Sequence, residues 1–289
     1  MDLSSITPLI LTCNEERNLP RVLAKLSWAK AVVLIDSGST DRTLDIAAEQ
    51  AHVSVMHRDF DDHVSQWNFG LGQVTTRWVL SLDADYVLSN ELIEEISRLQ
   101  EEEGYHGYEA SFRYCVNGRA LRASLYPPRI VLFRRDRGRY VADGHTQVLR
   151  LDGACARLRN LIDHDDRKPL QSWLHAQDRY SRLERDKLLA AIPAELPFVD
   201  RLRLRAWIAP LITPAYCLFV KGLIRDGRGG LLYTLQRTYA EMLLALRLLD
   251  YRMTEAVARN EHADQPNRAP SKAGEDFGTF GAKGSKQGS

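Results

Sequence analysis

Cysteine is scarce in this sequence and none of it is paired: Cys13, Cys115, Cys155 and Cys217 stand far apart, with no C-x-x-C between them. That spacing excludes a zinc site built on cysteine pairs, offers no disulfide framework, and fits a reducing cytosol. No apolar run is long enough to span a bilayer. The main uncharged stretch, residues 206–220, falls short of the roughly 20 residues a spanning helix needs, and Pro210 and Pro214 interrupt it. No charged leader precedes an apolar core either, because residues 6–11 already read as a first strand, so no secretory signal is expected. Lysine is missing from residues 113–159, which carry eleven arginines against only Asp136, Asp143 and Asp152, so that stretch is expected to meet something anionic. The remaining balance, 44% hydrophobic and 27% charged over 289 residues, is that of an ordinary globular chain.

What is present is a series of apolar runs, each ending in polar residues. Residues 6–11, 31–35, 53–56 and 78–82 read as strands, with helices from about Asn18, after a turn that Thr40 or Asp41 can cap, and over 64–73. Continuous rather than alternating apolar runs, interleaved with helices, predict a mostly parallel sheet covered on both faces. Ligands of such sheets bind outside the carboxyl ends of the strands. Thr12, Asn14 and Glu15 follow the first strand, residues 36–41 the second, and Asp83 and Asp85 the fourth.

The fourth of these is the most informative. In WVLSLDADY, residues 78–86, a buried strand ends in two aspartates one residue apart, and in an extended segment alternate residues face the same way. Two carboxylates there make a hard-oxygen site for Mg2+ or Mn2+, of use where a diphosphate is held and released. The plain alternative is a pair of solvated turn residues. Asp36 is placed to accept hydrogen bonds from a nucleoside, with Ser37, Gly38 and Ser39 letting a ligand approach the backbone; the same pattern would also serve as a helix-capping turn.

Taken together, LTCNEERNL, LIDSGSTDRT and LSLDADY resemble, in order and spacing, the family 2 glycosyltransferases, over roughly residues 6–184. The resemblance implies a GT-A fold and an inverting, hexosyltransferase-like enzyme. It also implies a nucleotide-sugar donor, a UDP-sugar being expected, with contacts from Thr12, Asn14, Glu15, Asp36, Ser37 and Asp83, and a divalent cation at Asp83 and Asp85. His164 resembles the family's histidine after its last strand, as a metal or phosphate ligand or as a structural residue. The segment YPPRIVLFRRDRGRYVADGHTQVL is similar to the acceptor side of the small lipopolysaccharide core glucosyltransferase-like group. That group usually carries a His-Glu pair, whereas His145 is followed here by Thr146, so the general base falls to Asp143 first and His145 second. A nucleotidyltransferase is the alternative enzyme, but its usual glycine-rich phosphate loop has no counterpart at residues 12–17, which lack glycine. A nucleotide-sugar-binding module without turnover is the other.

Three regions are expected: residues 1–195 as the GT-A domain, 196–258 as C-terminal helices lying on a membrane interface, and 259–289 as a disordered tail. Before the arginine-rich strand, residues 107–123 read as a hairpin turning at Asn117-Gly118. The uncharged run 206–220 has Arg201, Arg203 and Arg205 before it and Lys221, Arg225 and Arg228 after it, which suits an anionic membrane surface. The expected setting is therefore cytoplasmic and peripheral on the inner face of the plasma membrane. The acceptor expected is a glycan or lipid-linked molecule, with no nucleic acid partner.

Overall fold

The computed structural model describes residues 1–100, 104–143 and 146–263. Three strand-helix units and a fourth strand come first: β1 (Ile6–Thr12), α1 (Leu19–Ala24), β2 (Val32–Asp36), α2 (Thr43–Ala48), β3 (Val53–His57), α3 (His63–Gln73) and β4 (Trp78–Asp83). Helix starts follow local chemistry: Asp41 accepts from the Thr43 backbone N–H at the head of α2, and Asp62 caps α3 by accepting from Ser65 N. These strands form the parallel part of a seven-stranded sheet, in the spatial order β3-β2-β1-β4.

Alternation along each strand feeds two separate cores. Ile6, Ile10, Leu34, Leu80 and Leu82 pack with Leu19 and Val22 of α1 on one face, while Leu9, Val33, Ile35 and Val79 pack with Trp67 and Leu71 of α3 on the other. That is why the runs are apolar without a gap. The chain turns one way from β1 to β2 and the other way to β4, so the crevice between the carboxyl ends of β1 and β4 lies where the order reverses. Thr12 is level with Asp36, and Leu11 with Asp83.

The middle of the chain extends and caps that sheet. β5 (Tyr86–Leu88), α4 (Asn90–Arg98), β6 (Tyr105–Ala110), β7 (Phe112–Val116), β8 (Arg119–Ala120), β9 (Arg129–Arg134), β10 (Gly138–Asp143), β11 (Thr146–Leu151), β12 (Ala154–Arg157) and β13 (Ile162–His164) follow. β9 joins β4 antiparallel, and β6 and β12 continue outward from it. β10 and β11 pair as a ribbon, and β5, β13, β7 and β8 make a small sheet. The Asn117-Gly118 turn joins only β7 and β8. Both of its residues have positive φ, as a two-residue hairpin turn of this kind requires, while residues 105–110 belong to the main sheet.

Among the described residues, five of the eleven arginines of the 113–159 stretch are paired by the chain's own carboxylates. Arg113 pairs with Asp163, Arg122 with Asp226 and Arg157 with Glu109, partners that all lie outside the stretch, and Arg134 pairs with Asp136 and Arg137 with Asp152 inside it.

Four helices close the chain: α5 (Leu170–Ala190), α6 (Phe198–Arg203), α7 (Ile208–Ala215) and α8 (Gly227–Ala263). Pro214 lies inside α7 without ending it; the helix instead widens into a π turn, Tyr216–Val220, with Lys221 N donating to Tyr216 O. No single described helix is long and apolar enough to cross a membrane, and the helical segments on either side of Lys221 and Gly222 meet at 71°. Met1–Leu249 form one compact unit, in which the helices beyond Leu196 share cores with earlier residues such as Leu121 and Leu188. Residues from Asp250 on form a second unit, and α8 runs past the point where a disordered tail was expected to begin; the rest of that tail lies outside the described residues.

Candidate functional site

The first wall of the crevice is a clamp between the loops after β1 and β2. Asp36 is only 1% exposed. Its Oδ1 accepts from Thr12 Oγ1 at 2.9 Å and from Ser39 Oγ, and its Oδ2 from the backbone N–H of Gly38 at 2.9 Å and of Ser39 at 2.8 Å. A carboxylate has about four acceptor positions, and the chain uses all of them. Asp36 therefore shapes the turn rather than presenting a free carboxylate to a nucleoside. Gly38, at φ +86°, supplies the left-handed residue that this turn needs.

Asn14 stitches the two loops together in the same way. It adopts φ +56°, its amide oxygen accepts from Thr40 N at 2.8 Å, and its backbone N–H donates to Ser39 Oγ at 2.9 Å. Ser37 accepts from Gln66 Nε2 at 2.7 Å. Thr12, Asn14, Asp36 and Ser37 thus come together at one place, as preorganised loop rather than as free side chains.

Asp83 and Asp85 form the second wall. The strand ends at Asp83 and Asp85 sits in the turn that follows, so the two carboxylates are brought together by a turn and not by extended alternation. Burial, then the charge of Asp85, raises Asp83 above the ordinary carboxylate range, while Arg129 of β9 opposes the rise. For Asp85 burial also acts upward, but the charge and hydrogen bond of His164, with Lys168 behind them, outweigh it and hold this carboxyl below its usual value.

His164 Nε2 lies 3.1 Å from Asp85 Oδ2. Burial alone would discharge His164; the Asp85 carboxylate outweighs it and raises the imidazole above its ordinary value. The rings of Tyr86, Tyr114 and Tyr126 stand 5.3, 4.9 and 4.6 Å from it, because β13 runs between β5 and β7 with His164 level with Tyr86 and Tyr114. With Nε2 engaged by Asp85, His164 orients that carboxylate, and its Nδ1 is buried without a hydrogen-bond partner. Asp85 Oδ1 is likewise buried without a hydrogen-bond partner.

That buried, unpartnered oxygen beside a second carboxylate fits a hard divalent cation. Among the described residues no three His, Cys, Asp or Glu side chains stand close enough to cage a metal. Such an arrangement suits Mg2+, which is held by one or two carboxylates and completed by substrate phosphates.

Several residues of the site carried no mark in the sequence. Lys168, after β13, forms an ion pair with Glu15, and its charge also acts on Asp85. Burial lifts the Glu15 carboxyl to about 7, with Lys168 pulling it down and Asp85 pushing it further up. Asn18 joins this cluster by donating to Glu15 Oε2 and Asp166 Oδ1, both at 2.9 Å. Arg129 reaches Gln147 O at 3.2 Å, lies 5.5 Å over the Tyr126 ring, and brings positive charge to Asp83. A run such as HDDRK after a strand is the only sequence signal that pointed toward Lys168.

The two base candidates fare differently. Asp143 ends β10 and pairs with Lys187 of α5 at 2.8 Å, with 43% of its side chain exposed. Three residues earlier in β10, Tyr140 stacks on Trp67 at 5.1 Å and exchanges hydrogen bonds through its backbone with Asn68, which anchors the strand to α3. His145 lies outside the described residues.

Residues 9–164 match the Glycosyl transferase family 2 profile. The chain belongs to glycosyl transferase family 2. The matched region begins within β1 and ends at His164, so it contains both walls of the crevice. An uncharacterized glycosyltransferase of Rickettsia bellii (strain RML369-C) is 32% identical over 108 residues, 36% of this chain and 36% of that protein. The lipopolysaccharide core biosynthesis glycosyltransferase LpsC of Rhizobium meliloti (strain 1021) is 27% identical over 146 residues, 47% of this chain and 53% of LpsC. These matches span between about a third and about half of the relatives' length. Among solved structures, the mannosyltransferase PcManGT from Pyrobaculum calidifontis, in complex with GDP-Man and Mn2+, aligns with a TM-score of 0.50 at 14% identity, over 90% of this chain and 88% of that one. At that identity the likeness speaks to the shared GT-A fold.

Proposed function

We propose that this chain transfers a sugar, with inversion, from a nucleotide-sugar donor, a UDP-sugar in the expected case, to a glycan or lipid-linked acceptor. The setting proposed is the inner face of the plasma membrane, and Mg2+ or Mn2+ would be held by Asp83 and Asp85. The observation that carries the reading is the oriented Asp85 carboxylate, with one oxygen fixed by His164 and the other buried and unpartnered at a strand end of a family 2 fold. An envelope glycan as acceptor is supported by the resemblance to LpsC.

When bound, the cation would supply charge neutralisation for the departing diphosphate. His164 keeps Asp85 ionised and aimed. Lys168, tethered by Glu15, adds a further positive charge beside the same carboxylate. The clamped loops after β1 and β2 offer backbone and hydroxyl groups to the nucleoside without having to reorganise. Asp143 is the proposed acceptor of the proton from the attacking hydroxyl, with His145 second.

The test is a panel of nucleotide-sugars incubated with the full chain and no acceptor, followed by nucleoside diphosphate release with Mn2+, with Mg2+ and in excess chelator. Release of one sugar class that needs the cation and is lost in Asp85→Asn supports the reading. Thermal stabilisation by nucleotide-sugars without any release would instead identify a binding module. Equal release in chelator would remove the cation from the site.

A further inference from the structure

The C-terminal helices bury one side and leave the other apolar in water. Cys217, Leu223, Tyr233, Leu244 and Leu248 are inside the fold. Trp207 at the N-cap of α7, Leu211 within it and Phe219 in the π turn, at positions i, i+4 and i+12, are 66%, 67% and 69% exposed. A second exposed stripe runs along α8 through Leu231, Leu235, Tyr239, Met242, Leu246 and Leu249, at intervals of three and four. A hydrophobic face that continuous, on a segment whose other side is packed, marks a surface that meets an apolar phase or partner.

Where the first stripe ends, charge gathers. Lys221 and Arg225 flank Gly222, whose left-handed backbone (φ +70°) turns the chain, and Arg122 approaches from the loop after β8. Together with Phe219, Val220 and Ile224 these residues line an open depression of about 460 Å³. Three cations stand there against the one carboxylate that contacts them, Asp226, which takes Arg122 N at 2.9 Å and Arg122 Nε at 3.3 Å. Val220 and Ile224 are themselves exposed. Cations in a hollow with exposed aromatic and aliphatic residues at its rim match an amphiphile, with a phosphate in the hollow and acyl chains along the rim. A soluble anion would have no use for the rim, and a purely apolar partner would have no use for Lys221 and Arg225, which stand beside the paired Arg122.

We infer that Arg122, Lys221 and Arg225 seat the phosphate of an anionic phospholipid while Phe219, Ile224 and the Trp207–Leu211 stripe enter the adjoining acyl region, so that this face docks the enzyme on an anionic bilayer. The C-terminal helices also touch the candidate site: Tyr233 of α8 packs at 4.7 Å on Tyr114, the same ring that stands 4.9 Å from His164. Docking through this face would fix how the crevice is presented to molecules anchored in the same membrane. The inference deepens the membrane part of the proposed function and does not depend on the transfer chemistry.

The experiment is flotation of the full-length chain with vesicles of phosphatidylcholine alone or mixed with phosphatidylglycerol, at low and high salt. The variants are Arg122→Gln/Lys221→Gln/Arg225→Gln and Phe219→Ser/Ile224→Ser, with cation-dependent donor hydrolysis as the check that each is folded, since none of these residues lies in the candidate site. The chain should float with the mixed vesicles only. Near an anionic surface each basic residue is worth roughly five-fold in partition, so the triple variant should lose on the order of a hundred-fold. The apolar pair should lose binding that high salt does not remove, and glycerol phosphate in solution should not compete. If the triple variant partitions like the parent chain, the seat is wrong although membrane binding stands; competition by glycerol phosphate would make it a soluble-anion site. Failure of the parent chain to float, with a dimer in sedimentation, would assign the stripes to a second copy of the chain and remove seat and membrane together. Loss of donor hydrolysis in the parent chain with flotation intact would overturn the transfer reading and leave this one standing.

Discussion

His164 holds Asp85 by a single contact, Nε2 to Oδ2 at 3.1 Å, and leaves Oδ1 buried with no partner. One oxygen is thereby oriented and the other kept for something outside the chain. Residues that orient a ligand carboxylate typically contribute 10- to 100-fold to metal affinity. Replacing His164 by Ala should therefore raise the Mn2+ concentration needed for half-maximal donor hydrolysis by roughly that factor. Asp85→Asn should abolish the cation dependence of nucleoside diphosphate binding altogether, read as thermal stabilisation with and without chelator. An unchanged Mn2+ requirement in His164→Ala would mean that the imidazole only fills space among its three tyrosines.

Asp36 gives a prediction of a different kind, because its four acceptor positions are all filled by the chain. Asp36→Ala strands two backbone N–H groups and two hydroxyls, so the apo protein should lose about 2–4 kcal/mol of stability. Asp36→Asn, which keeps one carbonyl acceptor, should lose less. Denaturant unfolding without nucleotide decides the matter. A residue serving only as a nucleoside contact would leave apo stability unchanged and alter donor affinity alone.

The contrast between these residues shows what was legible in the chain and what was not. The four parallel strands of the main sheet were legible because their runs are mainly apolar, and Asp83 with Asp85 because the pair ends such a strand in company with the polar residues after β1 and β2. The order of these strands predicted a mostly parallel sheet covered on both faces, and the GT-A architecture followed from the resemblance of the three linked motifs to family 2 glycosyltransferases. Asp36 was recognised as a site residue, but a turn clamp and a nucleoside contact call for the same D-S-G-S residues, and only the hydrogen bonds separate them. Lys168, Arg129 and the His164–Asp85 contact are pairings between distant parts of the sequence, and no local periodicity encodes such a partner. The partners of Arg113, Arg122 and Arg157 were hidden for the same reason: Asp163, Asp226 and Glu109 all lie outside the arginine-rich stretch.

Glu15 should give the folded protein a pH dependence of unusual sign. Burial lifts its carboxyl from 4.5 to about 7, so between those values the native state retains a proton that the unfolded chain has released. Stability from this group therefore falls as pH rises across that window, by at most about 3 kcal/mol at roughly 1.4 per unit. Lys168, raised above 10.5 by contact with Glu15 against the opposing effect of burial, stays charged throughout the window. The raised His164 keeps its contribution to stability up to about its ordinary 6.5. The difference in unfolding free energy between Glu15→Gln and the parent chain, followed from pH 5 to 6.5 as a rough range, should grow steadily in favour of the variant. A flat difference would mean that Lys168 keeps Glu15 ionised throughout.

Asp143 presents the sharpest division between a structural and a chemical role. Its ion pair with Lys187 is 2.8 Å long but 43% of the Asp143 side chain is exposed, and pairs of that kind are worth about 0–1 kcal/mol. Asp143→Asn should therefore leave the melting temperature nearly unchanged. As the general base it would still cost roughly 10²–10⁴-fold in transfer to acceptor, because an amide takes no proton from the attacking hydroxyl. Donor affinity should be preserved, since Asp143 is assigned to the acceptor side. Lys187→Met provides the control: it removes the cation while leaving the carboxylate in place, so transfer should persist in this variant. Wild-type transfer by Asp143→Asn, with His145→Ala inactive and still binding donor, would pass the role to His145. Inactivity of Asp143→Asn accompanied by a large loss of stability would instead make the Lys187 contact a structural brace between β10 and α5.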